Sequence, residues 1–106
     1  MVFADKVRSF VGLAVRSRSL AVGREACKRA ARRGSLHLRL LADDAGQSAA
    51  RDCGAGPQTR TVQSGFDKRG LGALLGRESV AAIGITDADL AAGLWRHAAA
   101  APPPQT

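Results

Sequence analysis

The hydrophobic residues of the first third of the chain recur at helical spacing in two segments. The first set predicts an amphipathic helix over residues 3–16 and consists of Phe3, Val7, Phe10, Val11 and Ala14. The apolar residues 20–22 then predict a short extended stretch ending at Gly23. A second helix is predicted over residues 23–33, with Gly34 placed as a C-terminal cap. Its apolar stripe contains only small side chains, those of Ala26, Cys27, Ala30 and Ala31, so we expect it to pack closely on the layer beneath.

The rest of the chain alternates strand and helix patterns. Apolar runs predict strands at residues 36–42, 59–62 and 80–85. Helical patterns are found at residues 47–53, 66–75 and 88–99. This alternation predicts an α/β fold: a three-layer α-β-α sandwich around a small mixed sheet of about four strands. We expect a single domain over residues 1–99 and a disordered Ala/Pro tail over residues 100–106.

Charge is distributed unevenly along the 106 residues, whose formal net charge is +7. Residues 1–34 hold nine basic and two acidic side chains, whereas residues 35–106 hold seven of each. The excess charge therefore belongs to one third of the chain, which favours a polyanionic partner. A generally basic, solvated surface is the alternative. No segment is both long enough and free enough of charge to span a bilayer, so we expect no membrane association.

Candidate catalytic and metal-binding residues are few. His37 and His97 have no nucleophile or carboxylate at a recognised spacing, and Cys27 and Cys53 do not form a metal-binding motif. The adjacent carboxylates of Asp43 and Asp44 more often close a strand and begin a turn than bind Mg²⁺. We therefore predict a protein without enzymatic activity, metal, cofactor or small-molecule substrate. The N-terminal stretch lacks the apolar core of a secretory signal, so we expect a cytoplasmic protein with reduced thiols.

The second predicted helix carries the strongest functional signal. Gly23 permits close approach of another backbone, and the amide groups of a helix N-terminus favour an anion. Five cations follow within ten residues, opposed only by Glu25: Arg24, Lys28, Arg29, Arg32 and Arg33. Because Arg matches phosphate geometry well, this pattern favours a phosphate-binding helix end. The alternative is a solvent-facing side of an amphipathic helix, where more mixing of signs is expected.

Two blocks of the sequence resemble a known family. One is Gly23-Arg24-Glu25-Ala26-Cys27-Lys28-Arg29-Ala30-Ala31-Arg32-Arg33-Gly34, followed by a hydrophobic strand and Ala42-Asp43-Asp44. The other runs from Ser64 to Asp87 and includes Leu71-Gly72, Gly76 and Ala82-Ile83-Gly84-Ile85-Thr86-Asp87. Together they resemble the kink-turn RNA-binding ribosomal protein superfamily of the archaeal L-seven-Ae type, and its bacterial YlxQ-like branch in particular. The resemblance extends over about residues 8–97.

The resemblance implies an α-β-α sandwich that binds RNA through two elements. The first is the N-terminus of the second helix, here Gly23, Arg24, Glu25, Lys28 and Arg29, to which the charge pattern adds Arg32. The second is the loop before the last strand, where an apolar side chain meets a splayed-out base; here it contains Arg77, Glu78, Ser79 and Val80. The Asn-Glu pair with which the family reads guanine falls on Arg24-Glu25 or on Glu25-Ala26, according to the residue from which the count starts.

Two functional hypotheses follow. The first is non-catalytic binding of ribosomal RNA or another structured, kink-turn-like RNA of translation, with the ribosome as a further partner. The second is a protein-interaction accessory module of an RNA-modifying or ribosome-assembly complex, with the last helix and Trp95 docking a protein.

Overall fold

Helices and strands alternate along the part of the chain that the computed structural model describes, residues 3–46 and 59–100, without the side chains of residues 99 and 100. The helices in these ranges are α1 (Phe3–Arg16), α2 (Arg24–Arg32), α3 (Lys68–Leu74) and α4 (Ala88–Ala100). The strands are β1 (Leu20–Val22), β2 (Leu38–Leu41), β3 (Arg60–Gln63) and β4 (Ala82–Ile85). The helix predicted at residues 47–53, Cys53 and the end of the chain from residue 101 lie outside the described residues.

The described strands form one mixed sheet in the order β1-β4-β2-β3. Strand β4 is antiparallel to both β1 and β2, whereas β2 and β3 are parallel. The near-continuous apolar sequences of β2 and β4 therefore occupy the two central positions, as expected for strands covered on both faces. The mixed four-stranded sheet predicted from the sequence is confirmed.

Helices cover both faces of this sheet. On one face, Leu38, Leu40, Ile83 and Ile85 are fully buried and form the main core with residues of α1, α3 and α4. On the other face, α2 packs its small side chains against the sheet. The buried members of this second cluster are Ala21, Cys27, Ala30, Leu36, Leu41 and Ala82. The predicted three-layer α-β-α arrangement is thus confirmed, and the small stripe on α2 has the buried position expected of it.

Three of the differences between predicted and observed element boundaries have a specific cause in a hydrogen bond or in burial. Helix α3 begins two residues late because Asp67 caps it, with Oδ1 accepting from the Gly70 amide at 2.7 Å. Strand β4 begins at Ala82 because the Val80 amide donates to Lys68 O at 2.9 Å, which directs the chain toward α3. Strand β2 begins at Leu38, whereas Leu36 is buried under α2.

A buried arginine occupies the centre of β2. Arg39 is 5% exposed and lies on the α2 side of the sheet, where its Nε donates to Thr61 Oγ1 at 3.1 Å. Its Nη1 is buried without a hydrogen-bond partner. A charged residue in this position departs from the apolar pattern of the strand. Its bond to Thr61 links β2 to β3 through side chains, in addition to the backbone pairing of the two strands.

None of the helices within the described ranges has the combination of length and hydropathy needed to cross a lipid bilayer.

Candidate nucleic-acid interface

Helix α2 begins in a backbone conformation reserved for glycine. Its N-cap, Gly23, has φ 90° and ψ 168°, a region that L-residues essentially do not occupy. The Gly23 carbonyl accepts the first helical bond from the Cys27 amide at 3.1 Å, and the Gly23 amide donates to Ala82 O at 2.9 Å. The helix N-terminus is therefore fixed to the first residue of β4. The positive end of the helix dipole therefore lies at this end of the sheet.

The outer face of α2 is cationic. Arg24, Arg29 and Arg32 are exposed, whereas Lys28 is half-buried beside the sheet-facing stripe. The helix closes with Gly34 after its C-cap, where the amides of Gly34 and Ser35 donate to Ala31 O and Ala30 O at 3.0 and 2.9 Å. The three exposed arginines therefore lie away from the buried alanine stripe.

The one acidic side chain of α2 offsets little of this charge. Glu25 lies 3.7 Å from Lys28 Nζ, with its own side chain 73% exposed. An exposed i,i+3 pair of this kind contributes only about 0.2–1 kcal/mol and is screened by salt. Within residues 3–46 and 59–100, Arg29, Arg32 and Arg33 make no ion pair with a carboxylate. The face therefore keeps a positive charge available to an anion.

The second predicted element, the loop between α3 and β4, lies tightly against the end of α3. The amides of Leu75 and Arg77 both donate to Gly72 O, at 2.9 and 2.8 Å. A Cβ on Gly72 would come within 2.9 Å of the Ser79 Cα and amide nitrogen, so a glycine is required for this approach. In the sequence, Gly72 stands out only as part of the second block that resembles the family. Its actual role is to let the loop return across the helix.

One predicted contact of this loop is wrong for the described conformation. Arg77, Glu78 and Ser79 are exposed, but Val80 is 6% exposed and packs in the main core. The side chain of Val80 is therefore not available to stack on a splayed-out base. The reason is the hydrogen bond from the Val80 amide to Lys68 O, which turns this residue inward just before β4.

The two elements, remote in sequence, meet at one end of the sheet. The loop runs directly into β4, and the first residue of β4, Ala82, accepts the bond from the Gly23 amide. Leu41, the last residue of β2, is paired with Ala82, so Asp43 and Asp44 lie at this same end. Their Oδ1 atoms accept from the amides of Gly65 at 3.2 Å and Lys68 at 2.8 Å. The prediction that these carboxylates serve turns is confirmed.

A second basic surface, which sequence reasoning missed, lies at the opposite end of the sheet. Here a groove with a cavity volume of about 250 Å³ runs between α4 and the beginnings of β2 and β3. Three alanines of α4 (Ala88, Ala91 and Ala92) form part of its wall. Its other lining residues carry planar side chains: His37, Arg60, Trp95 and Arg96. The Arg60 guanidinium carbon lies 4.6 Å from the centre of the Trp95 ring, within the range of a cation–π contact.

The sequence signal for this groove was weak. The sequence analysis gave Trp95 only a role in docking a protein, and Arg60 belongs to residues 35–106, where basic and acidic side chains are equal in number. Only the parallel pairing of β2 with β3, which sets Arg60 opposite Leu38, brings that guanidinium to α4.

Residues with potential for metal binding or acid–base chemistry do not cluster in the described ranges. No group of three or more His, Cys, Asp or Glu side chains that could hold a metal ion is found there. His97 makes an edge contact with the Phe10 ring, with centroids 5.8 Å apart, whereas His37 lines the groove. The two histidines therefore belong to different parts of the molecule.

Comparison with solved structures gives a close relative. A protein with unknown function from Bacillus halodurans matches the chain with a TM-score of 0.73 and 30% sequence identity. The match covers 86% of this chain and 94% of the other. No protein-family model matches the sequence. No curated protein matches it either. At this identity and coverage, the chain belongs to the same family as the Bacillus halodurans protein.

Proposed function

We propose that the protein is a non-catalytic, cytoplasmic RNA-binding protein that holds structured RNA of the translation apparatus, such as ribosomal RNA. The principal contact surface, which we call the α2 surface, consists of Arg24, Lys28, Arg29 and Arg32. The exposed loop residues 77–79 adjoin it. The observation that carries the proposal is that the N-terminus of the cationic helix α2 and this loop lie at the same end of the sheet, where the Gly23 amide donates to Ala82 O.

Phosphates are the ligands expected for the α2 surface. Guanidinium groups bind phosphate oxygens in a bidentate manner, and Arg29 and Arg32 have no carboxylate partner within the described ranges. The positive end of the α2 dipole adds a favourable field at Arg24, in the first turn of the helix. Such contacts position an RNA and confer a strong dependence on salt, but they do not read its sequence.

Base recognition is assigned to the groups around this surface that combine exposure with hydrogen-bonding capacity. The ionised carboxylate of Glu25 accepts hydrogen bonds from N–H groups on a base edge. The Ser79 hydroxyl can both donate and accept a hydrogen bond. Because Val80 is buried, the apolar base contact that the resemblance implies is left out of the proposal. These exposed groups suit the recognition of single-stranded loops or bulges in RNA. The base edges of a regular RNA duplex are less accessible to them.

The direct test is a binding titration by fluorescence anisotropy with three labelled RNAs: a ribosomal RNA hairpin, a kink-turn, and the fully paired duplex made from the kink-turn sequence. We expect tighter binding of the first two than of the duplex. The logarithm of the affinity should fall linearly with the logarithm of the salt concentration, by about 0.7–0.9 for each phosphate contacted. Absence of binding to all three at low salt, or an affinity unchanged by salt, would contradict the proposal.

A further inference from the structure

The groove between α4 and the beginnings of β2 and β3 has the charge of an anion-binding site. None of its lining residues is acidic, and two of them, Arg60 and Arg96, are exposed cations. The nearest carboxylate in sequence, Asp87, is engaged with the helix, since its Oδ1 accepts from the amides of Asp89 at 2.8 Å and Leu90 at 3.0 Å. Asp89 is exposed in the first turn of α4 but does not line the groove.

The same groove has the surfaces of a stacking site. Trp95 is half-buried and holds the Arg60 guanidinium over its ring at 4.6 Å. An indole ring and a guanidinium plane are both surfaces on which nucleobases stack. The imidazole of His37 adds a third planar group to the lining of the groove. The alanines of α4 leave the space in front of the indole open, because their side chains end at Cβ.

We propose that this groove binds one unstacked nucleotide of a single-stranded RNA segment, with the base against Trp95 and Arg60 and a phosphate beside Arg96. The inference rests on the proposed RNA-binding function and adds a second contact point to it. The volume agrees with a single base, because about 250 Å³ lies just below the roughly 300–1,000 Å³ typical of sites for larger organic ligands. The groove lies on the face of the sheet that α4 covers, whereas the α2 surface lies on the opposite face, so the two surfaces engage different parts of one RNA.

A nucleotide fits this groove better than an acidic peptide does. Protein anchors depend on large apolar side chains entering well-packed apolar pockets, but the aliphatic wall here consists of three alanines. The remaining lining groups are planar and polar or cationic, which suits a flat heterocycle attached to a phosphate. The net charge of +7 also favours a polyanion over most protein partners.

Trp95 makes the groove directly observable. It is the only tryptophan in the chain, which contains no tyrosine, so intrinsic fluorescence reports on this site alone. The experiment is a titration of the full chain with an eight-nucleotide oligoadenylate, with AMP in a parallel arm to separate a free nucleotide from an RNA segment. Inorganic polyphosphate and polyglutamate serve as controls for charge without a base and for an acidic peptide. We expect saturable quenching by the oligoadenylate, weaker quenching by AMP, and none by polyphosphate or polyglutamate.

Substitutions in and away from the groove test whether the nucleotide binds there. Trp95→Ala should weaken the binding of labelled oligoadenylate, followed by anisotropy, by roughly 5- to 150-fold, whereas Trp95→Phe should retain most of it. Arg60→Ala and Arg96→Ala, both at exposed positions, should weaken the quenching without affecting folding. Arg69→Ala removes an equal charge from α3, away from the groove, and should leave the quenching unchanged.

The double variant Arg29→Ala/Arg32→Ala separates the two surfaces. Quenching by AMP should survive in this variant, because AMP reaches only the groove. If structured RNA binds by anisotropy but neither oligoadenylate nor AMP quenches Trp95, the groove proposal is overturned and the proposed function stands. If no RNA binds by either measurement, both are overturned. Quenching by polyglutamate in place of oligoadenylate would overturn the nucleotide site in favour of a peptide site.

Discussion

The amide of Gly23 donates to the carbonyl of Ala82 at 2.9 Å and thereby joins the start of α2 to the start of β4. These two residues are 59 positions apart in the chain. The bond continues the antiparallel pairing of β1 with β4 by one residue and determines where α2 leaves the sheet. As a result, the N-terminus of α2 and the loop that precedes β4 lie at the same end of the sheet.

The arginines of α2 provide the first prediction. Arg29→Ala and Arg32→Ala should each weaken the binding of structured RNA and reduce the log–log salt slope by about 0.7–0.9, because each removes one phosphate contact. Affinity and slope are measured by anisotropy between 50 and 200 mM salt, roughly the range in which such contacts are most visible. Arg16→Ala is the matched control: this exposed arginine ends α1, which packs on the face of the sheet opposite to α2. An equal loss with Arg16→Ala would show that RNA is bound by net charge and not by the α2 surface.

The close approach at Gly72 provides the second prediction. Gly72→Ala places a Cβ within 2.7 Å of Arg77 O and 2.9 Å of the Ser79 backbone, so the loop must move. We expect a loss of stability of about 1–3 kcal/mol, as for other overpacked sites, together with weaker RNA binding. Gly70→Ala is the control on the same helix, since its Cβ would meet only side-chain atoms of Phe66 and Asp67, at 3.1 Å or more. Urea unfolding and RNA titration of both variants check this, and equal behaviour of the two would contradict it.

The conformation of Gly23 provides the third prediction. Gly23→Asn should cost about 1–3 kcal/mol, because φ 90° with ψ 168° lies in a region restricted to glycine. Gly34→Asn should cost less, since Gly34 has φ 72° within a Schellman motif, in which asparagine is tolerated. A Cβ meets nothing within 4 Å at either position, so the difference isolates backbone strain. Thermal and urea unfolding measure it; a Gly34→Asn variant as unstable as Gly23→Asn would disagree with this assignment.

The buried Arg39 provides the fourth prediction. Arg39→Met should leave the stability unchanged or raise it, because burying a cation with an unpartnered Nη1 is costly and Met fills a similar volume. Thr61→Val should destabilise by about 1–3 kcal/mol, because the Arg39 Nε then loses its acceptor. In the double variant that penalty should disappear, which a double-mutant cycle of urea unfolding detects. Strong destabilisation by Arg39→Met alone would contradict this prediction, because it would mean that interactions in the folded state offset the cost of burying the guanidinium.

The spacing of the apolar residues was sufficient to predict most of the described elements, because it follows the period of the helix or strand in each of them. The stripe on α1 is buried at Val7, Val11 and Ala14, and the small stripe on α2 is buried at Cys27 and Ala30. Boundaries were predicted less well, because they depend on caps and loop hydrogen bonds such as that of Asp67. The burial of Arg39 reverses what its charged side chain suggests, and the burial of Val80 excludes the base contact that the resemblance implies. Each of these residues bonds to a partner more than ten residues away in the chain.

The sequence by itself determined the order and type of the described elements, the two-sided burial of β2 and β4, and the concentration of positive charge on α2. These features follow from local periodicity and composition, which act over a few residues. Only the tertiary structure decided which charges lie together. It joined α2 to the loop at residues 77–79 through β4, removed Val80 from the surface, and brought Arg60 onto Trp95. Strand pairing sets such relationships, because it brings distant residues into contact in a register that local patterns do not encode.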